Sequence, residues 1–231
     1  MRPELIVALD VPSMAAIPPI LDKLPPEVDF FKVGLELYTA AGREPLELLA
    51  RRGKRVFLDL KLHDIPRTVA NAITAALGYN VAMMTVHAMG GRSMLKAAAE
   101  AAGANGPRLV AVTTLTSLAQ SDLDDLGISR PLADQALALG ALALSSGIHG
   151  LVTSVHEARA LRGRFGAGPI LVTPGIRPAG AEVADQKRVA TPAAAVQAGA
   201  SCLVVGRPIL DAPDPGRAAE LILAEMAAVH G

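Results

Sequence analysis

The densest chemistry in this sequence lies in Phe57-Leu58-Asp59-Leu60-Lys61-Leu62-His63-Asp64-Ile65-Pro66. Side chains alternate along a strand with period two. Asp59, Lys61 and His63 are therefore expected on one face, and Leu58, Leu60 and Leu62 on the other. The leucines belong against apolar neighbours, so the charged face looks into a cleft. A carboxylate and an ammonium buried two residues apart have to pair to survive desolvation. Asp10 follows the apolar run Leu5–Leu9, and Lys32 lies in Phe30–Val33. These groups can join the pair in an alternating acid–base cluster. Each opposite-charge contact at ~4 Å and an effective dielectric near 20 is worth roughly 4 kcal/mol before desolvation. Such a cluster keeps an ammonium charged and aimed, as a proton donor requires. The plain alternative is an ion-pair network that only braces the fold. Convergence of charges from three strand ends on one rim weighs against it. His63 is expected to hydrogen-bond structurally and His87 to pack at a strand end. No His/Asp/Glu spacing makes a convincing metal site.

A second constellation is Val204-Val205-Gly206-Arg207-Pro208-Ile209, where a glycine closes an apolar run and an arginine follows. Backbone N–H groups, a helix start and a planar guanidinium together suit phosphate oxygens. Pro174-Gly175-Ile176-Arg177-Pro178 opens the longest unpatterned stretch, 174–190, and Gln186 lies within it. A polar loop of that length is expected to fold over a bound ligand. Val112-Thr113-Thr114-Leu115-Thr116-Ser117 is rich in hydroxyls that can meet a polar heterocycle or sugar, although threonine is also an ordinary strand residue. Ser93 and Ser117 lack a base nearby in sequence, which argues against nucleophilic catalysis.

The elements that would position these groups are eight short apolar runs. They are Leu5–Leu9, Phe30–Val33, Arg55–Leu60, Met83–Val86, Leu109–Thr113, Gly150–Thr153, Ile170–Thr173 and Cys202–Val205. None alternates strictly, as expected of parallel strands covered on both faces. Helical patterns fall between them at Glu44–Arg52, Pro66–Leu77, Gly91–Ala102, Pro131–Ser145, Val155–Phe165, Thr191–Ala198 and Asp214–Val229, and a short first helix is expected at Pro18-Pro19. Eight units in 231 residues give about 29 residues each, the length of a βα unit. No linker or charge run divides the chain. The expectation is an α/β fold, a (β/α)8 TIM barrel forming a single domain over 1–231, with its chemistry at the C-terminal ends of the strands. An open doubly wound sheet would need a Gly-rich turn after the first strand, where this chain has Asp10-Val11-Pro12-Ser13.

Composition narrows the partners. Hydrophobic residues make up 51% and charged residues 19% of the chain, which is enough for a full core. Aromatics are only 3%, so the core must be aliphatic. With 22 basic and 22 acidic residues there is no field to gather nucleic acid or an anionic membrane. The single cysteine, Cys202, allows no internal disulfide and is expected to be buried in its apolar run. No apolar stretch is long enough for a transmembrane helix or signal core, so a cytoplasmic protein is expected.

In these motifs the chain resembles the orotidine 5′-phosphate decarboxylase family along nearly its whole length. The resemblance runs through Ala8-Leu9-Asp10, Phe31-Lys32-Val33-Gly34, the Phe57–Pro66 segment, Val86-His87-Ala88, Leu115-Thr116-Ser117, Pro174–Pro178, Asp185-Gln186 and Val205–Ile209. It implies a carboxy-lyase that converts orotidine 5′-phosphate to UMP in pyrimidine biosynthesis, without metal or organic cofactor. It implies Lys61 as proton donor to C6 of the pyrimidine and Asp59 beside the departing carboxylate. Lys32 would pair with Asp59 and meet the ribose, and Asp10 would bind a ribose hydroxyl. Asp64 would reach into the neighbouring subunit's site, with Thr68 near the same rim, in a homodimer with shared sites. Thr116 would contact the pyrimidine, and Arg177, Gln186, Gly206 and Arg207 would hold the phosphate. The sequence departs from the family's usual pattern at Leu62, where Phe is common, and at Pro18-Pro19. Two rivals stand beside this reading. One is a magnesium-dependent keto-sugar-phosphate decarboxylase or aldolase of the same barrel group, in which the second strand ends in an acid where this chain has Lys32. The other is a non-catalytic sensor of a phosphorylated ligand.

Overall fold

A computed structural model describes residues 3–178 and 190–229. Eight parallel strands hydrogen-bond in chain order and close on themselves, β1 pairing with both β2 and β8. The strands are β1 (Glu4–Ala8), β2 (Phe30–Gly34), β3 (Arg55–Leu62), β4 (Met83–His87), β5 (Arg108–Val112), β6 (Gly150–Val152), β7 (Ile170–Thr173) and β8 (Cys202–Val205). Around them lie α1 (Ile17–Lys23), α2 (Leu35–Ala41), α3 (Glu44–Arg51), α4 (Pro66–Ala76), α5 (Gly91–Ala102), α6 (Gln120–Asp125), α7 (Leu132–Leu144), α8 (Val155–Phe165), α9 (Pro192–Gln197), α10 (Arg207–Leu210) and α11 (Pro215–Ala227). The barrel expected from sequence is the one observed.

Local chemistry sets the helix ends. Pro18 and Pro19 sit in the first turn of α1, where an absent N–H leaves no intrahelical bond unmade. The Ser154 hydroxyl accepts the Glu157 N–H at the start of α8, and the Ser154 N–H in turn donates to the Glu157 carboxylate. Thr191 and Asp214 cap α9 and α11 in the same manner through single side-chain bonds.

Two apolar clusters follow from strand alternation. The larger one lies between strands and helices and takes in Val7, Phe31, Val56, Leu58, Met84 and Leu203. The smaller one fills the barrel itself, with Ile6, Ala8, Phe30, Phe57, Met83, Val110, Val172, Cys202 and Val204. Cys202 is buried as expected, and its desolvated thiol is pushed up to about 12, so it stays protonated. Below this plug, Arg55 lies over the Phe30 ring and pairs with Glu4 and, through two hydrogen bonds, with Asp29. The plug matters to function because of what stands two residues further along the same strands. Ala8 is followed by Asp10, Phe30 by Lys32, Phe57 by Asp59 and Met83 by Thr85. The barrel interior therefore changes from apolar to polar in a single step toward its C-terminal mouth.

Candidate active site

A cavity of about 650 Å³ opens at that mouth. Its lining includes Asp10, Lys32, Asp59, Lys61, Thr116, Arg177, Gly206 and Arg207, so the strand ends bring eight of the predicted positions to one site. Its apolar lining comes from the top of the plug, through Ala8, Phe57, Val152, Val172 and Val204.

The charges form a row. The Lys32 amine lies 2.7 Å from Asp10 Oδ1 and 3.8 Å from Asp59 Oδ2. The Lys61 amine donates to both Asp59 oxygens at 3.0 Å. Acid, base, acid and base thus alternate from β1 through β2 to β3. The Lys32 and Asp59 side chains are only 10% and 13% exposed, whereas Lys61 is 33% exposed at the open end. Burial deprives the inner pair of water, so each charge depends on its partner. Gly34 leaves room for this row: a Cβ there would stand 2.7 Å from the Lys32 amine and 3.2 Å from Asp10 Oδ1. Any side chain at position 34 therefore moves the lysine.

Lys61 shares the face of Asp59 as alternation predicts, but the strand between them is not regular. The β3–β4 register pairs Leu58 with Met84 but Leu62 with Val86, so four residues of β3 advance against two of β4. Lys61 takes up this slip with φ +50°, in the left-handed region. A non-glycine residue held there costs about 1–3 kcal/mol, and such strain collects at active sites. The Lys61 N–H, taken out of the ladder, donates to the Thr85 hydroxyl at 2.7 Å. The same hydroxyl donates to Asp59 Oδ1 at 3.0 Å. Sequence reasoning missed Thr85. Its signal was a lone hydroxyl at an inward position of a strand otherwise made of Met, Val and His.

Other predicted residues fall elsewhere. His63 does not join Asp59 and Lys61 in the cavity lining. Among the described residues it makes no hydrogen bond; it stacks on His87 with ring centroids 5.3 Å apart. The slip at Lys61 is the reason, since it ends the alternation that would have turned His63 inward. His87 accepts the Met89 N–H through Nδ1. Asp64 is exposed and accepts the Ile65 N–H, and Thr68 is exposed on α4; neither lines the cavity of its own chain. The Lys61 amine has one carboxylate partner among the described residues, Asp59. Arg177 is buried, donates to the Ile176 carbonyl and lines the cavity, while Arg207 is exposed at its edge. The long loop has its two ends tied together, because the Arg177 N–H donates to the Ala190 carbonyl and the Ala190 N–H to that of Gly175. Gln186 lies outside the described residues. Among the described residues, no three His, Cys, Asp or Glu side chains gather where they could hold a metal ion. No helix among them is long and apolar enough to cross a membrane.

The stacked histidines carry a stability consequence. Burial, then the charges of His63 and Lys61, holds His87 below its ordinary value of 6.5. Burial and Arg108 do the same to His149 on the barrel floor. In each case the unfolded chain takes up a proton near pH 6.5 and the folded chain does not. This contribution is therefore complete above pH 6.5 and is lost as pH falls toward the lower folded value. Thermal melts are expected to show Tm falling between about pH 7 and pH 5, with a shallower slope in His87→Gln. An unaltered slope in that variant would contradict the assignment.

Two arginines thus line a cavity that also holds a lysine paired with a mostly buried aspartate. Comparison with known proteins agrees with this picture. A sequence model described as "Orotidine 5'-phosphate decarboxylase / HUMPS family" matches residues 3–222. An orotidine 5′-phosphate decarboxylase of Halorhodospira halophila is 53% identical over 228 residues, covering 98% of this chain and 97% of that protein. One from Anaeromyxobacter sp. strain K is 50% identical, with 97% and 99% covered. The crystal structure of orotidine 5′-phosphate decarboxylase from Lactobacillus acidophilus superposes with a TM-score of 0.86 at 40% identity, covering 98% of this chain and 99% of that one. The chain belongs to the orotidine 5′-phosphate decarboxylase / HUMPS family.

Proposed function

We propose that this protein decarboxylates orotidine 5′-phosphate to UMP, with the Lys61 ammonium delivering the proton to C6 and no metal or organic cofactor taking part. The observation that carries the reading is the row Asp10–Lys32–Asp59–Lys61 in the mouth of the barrel, with Arg207 at its edge. The reaction breaks the bond between C6 and its carboxylate, CO₂ leaves, and the electron pair stays on C6. The Lys61 ammonium stabilises that charge and gives up a proton to it; the neutral amine then regains a proton from solvent. Asp59 keeps the ammonium aimed before the reaction. It also sets a negative charge beside the substrate carboxylate, a repulsion relieved as CO₂ departs. Lys32 and Asp10 meet the ribose, and Thr116 the pyrimidine. Arg207, Arg177, the Gly206 backbone and Gln186 hold the phosphate. Binding energy from this remote group stabilises the closed site and so contributes to the transition state.

Lys32 also separates this reading from the magnesium-dependent reactions of the same barrel group, because an inward ammonium on β2 repels a divalent cation. The test is the absorbance change on mixing with orotidine 5′-phosphate, with and without EDTA. Equal turnover in both supports the proposal. No turnover would overturn it, and turnover that EDTA abolishes would point to the metal-dependent class. Arg207→Ala is expected to lower kcat/KM by roughly 10²-fold through lost charge-assisted hydrogen bonds. The loss should be smaller with a substrate lacking the phosphate; an unchanged kcat/KM with the full substrate contradicts the phosphate assignment.

The working assembly in this proposal is a homodimer in which Asp64 and Thr68 serve the partner's site. Both are exposed and outside their own cavity. Large apolar side chains are also exposed just beyond the ends of neighbouring strands: Ile65 (63%) after β3 and Met89 after β4. A rim of this kind fits burial against a second copy. The position of Asp64 in a nucleotide-bound crystal is the check.

A further inference from the structure

We infer that Thr85 is a positioning residue for Lys61, holding both ends of the lysine through one hydroxyl. Thr85 is fully buried in β4, on the inward face above Met83. Its Oγ1 accepts the Lys61 backbone N–H at 2.7 Å and donates its only proton to Asp59 Oδ1 at 3.0 Å. The Lys61 amine donates to that same carboxylate at 3.0 Å. The bonds close a ring that runs from the backbone of Lys61, through Thr85 and Asp59, back to its own side chain. The ring spans the register slip between Leu58 and Leu62, where the β3–β4 pairing skips and the Lys61 backbone turns left-handed.

Each part of the ring has a physical reason. A buried N–H displaced from its ladder needs an acceptor, and the threonine hydroxyl supplies one. A left-handed lysine persists only where its surroundings over-determine it. Without the hydroxyl, the Lys61 N–H and one lone pair of Asp59 are left short of partners. The backbone then relaxes toward extended φ, which changes the direction of the Lys61 Cα–Cβ bond and shifts the amine from its place on Asp59. The hydroxyl touches no substrate in this account; it acts by fixing where the amine stands.

The inference rests on the reading of Lys61 as proton donor. The experiment measures Thr85→Val, Thr85→Ser and Lys61→Ala side by side, giving kcat per folded site, KM, UMP affinity and Tm. Valine keeps the shape and strand preference of threonine but has no hydroxyl; serine keeps the hydroxyl. Thr85→Val is expected to lose roughly 10²-fold in kcat, the penalty for displacing a reacting group by about 1 Å. KM and UMP affinity should change less than threefold, because the phosphate and ribose contacts lie on other strands. Thr85→Ser should recover most of the loss. A merely structural role would lower Tm and the yield of folded sites while leaving kcat per site alone. If Thr85→Val fails to fold, Thr85→Cys replaces it, and its kcat should lie at least tenfold below that of Thr85→Ser. If Thr85→Val, or Thr85→Cys in its place, stays within twofold of wild type per folded site while Lys61→Ala is dead, the inference about Thr85 alone is overturned. If Lys61→Ala itself turns over normally, the proton-donor reading fails and this inference falls with it.

Discussion

Lys61→Ala is expected to lower kcat by at least about 10⁴-fold, the combined effect of losing the proton donor and the fixed charge facing C6. Product binding should survive in part, because the residues proposed to meet the phosphate and ribose, after β1, β7 and β8 and on β2, are untouched. The structure explains why no neighbour can substitute. Lys32, the other amine in the row, is held 2.7 Å from Asp10 and is only 10% exposed. It cannot leave that pair without stranding a buried charge. Steady-state kinetics with UMP inhibition as a binding control makes the measurement. Turnover within tenfold of wild type would remove Lys61 from the mechanism.

Asp59→Asn carries the second largest effect, about 10²–10³-fold in kcat/KM, comparable to the loss of one strong oriented group in an active site. The change is almost isosteric, so the plug beneath it should stay packed. What it removes is the only negative charge between two ammoniums. Asp59 receives the Lys61 amine on both oxygens and the Thr85 hydroxyl on one, and it faces Lys32 at 3.8 Å. With a neutral amide there, Lys61 and Lys32 repel each other across a site only partly open to water. Lys61 then turns toward solvent, which takes the donor away from its place. If Asp59→Asn kept kcat/KM within about tenfold, the carboxylate would be bracing the fold rather than aiming the amine.

The barrel was legible because strands buried on both faces read as apolar runs, and all eight fall within about two residues of the expected positions. The helices α5 and α8 begin and end where the pattern places them, since each carries a full amphipathic stripe and α8 a capping box. The short helices α2, α6 and α10 were not anticipated: in seven residues or fewer, helical periodicity cannot be told from a loop. The charge row was legible from residue types, because Asp10, Lys32 and Asp59 are charged residues in or directly after otherwise apolar runs. What period two could not reveal was the slip at Lys61, since a positive φ leaves no mark on a lysine's identity. For the same reason His63 was placed on the wrong face. Thr85 stayed hidden because threonine is common in strands for reasons unrelated to hydrogen bonding. Asp64 and Thr68 lie outside their own cavity, so the roles proposed for them rest on a second chain.

The most direct test of the central claim is a crystal structure of the protein with UMP bound. The account predicts the Lys61 amine ~3–3.5 Å from C6, still bonded to Asp59, with Arg207 on the phosphate and Asp64 of the partner subunit at the same site. A Lys61 amine directed at solvent, or a pyrimidine bound with C6 facing away from it, would contradict the account.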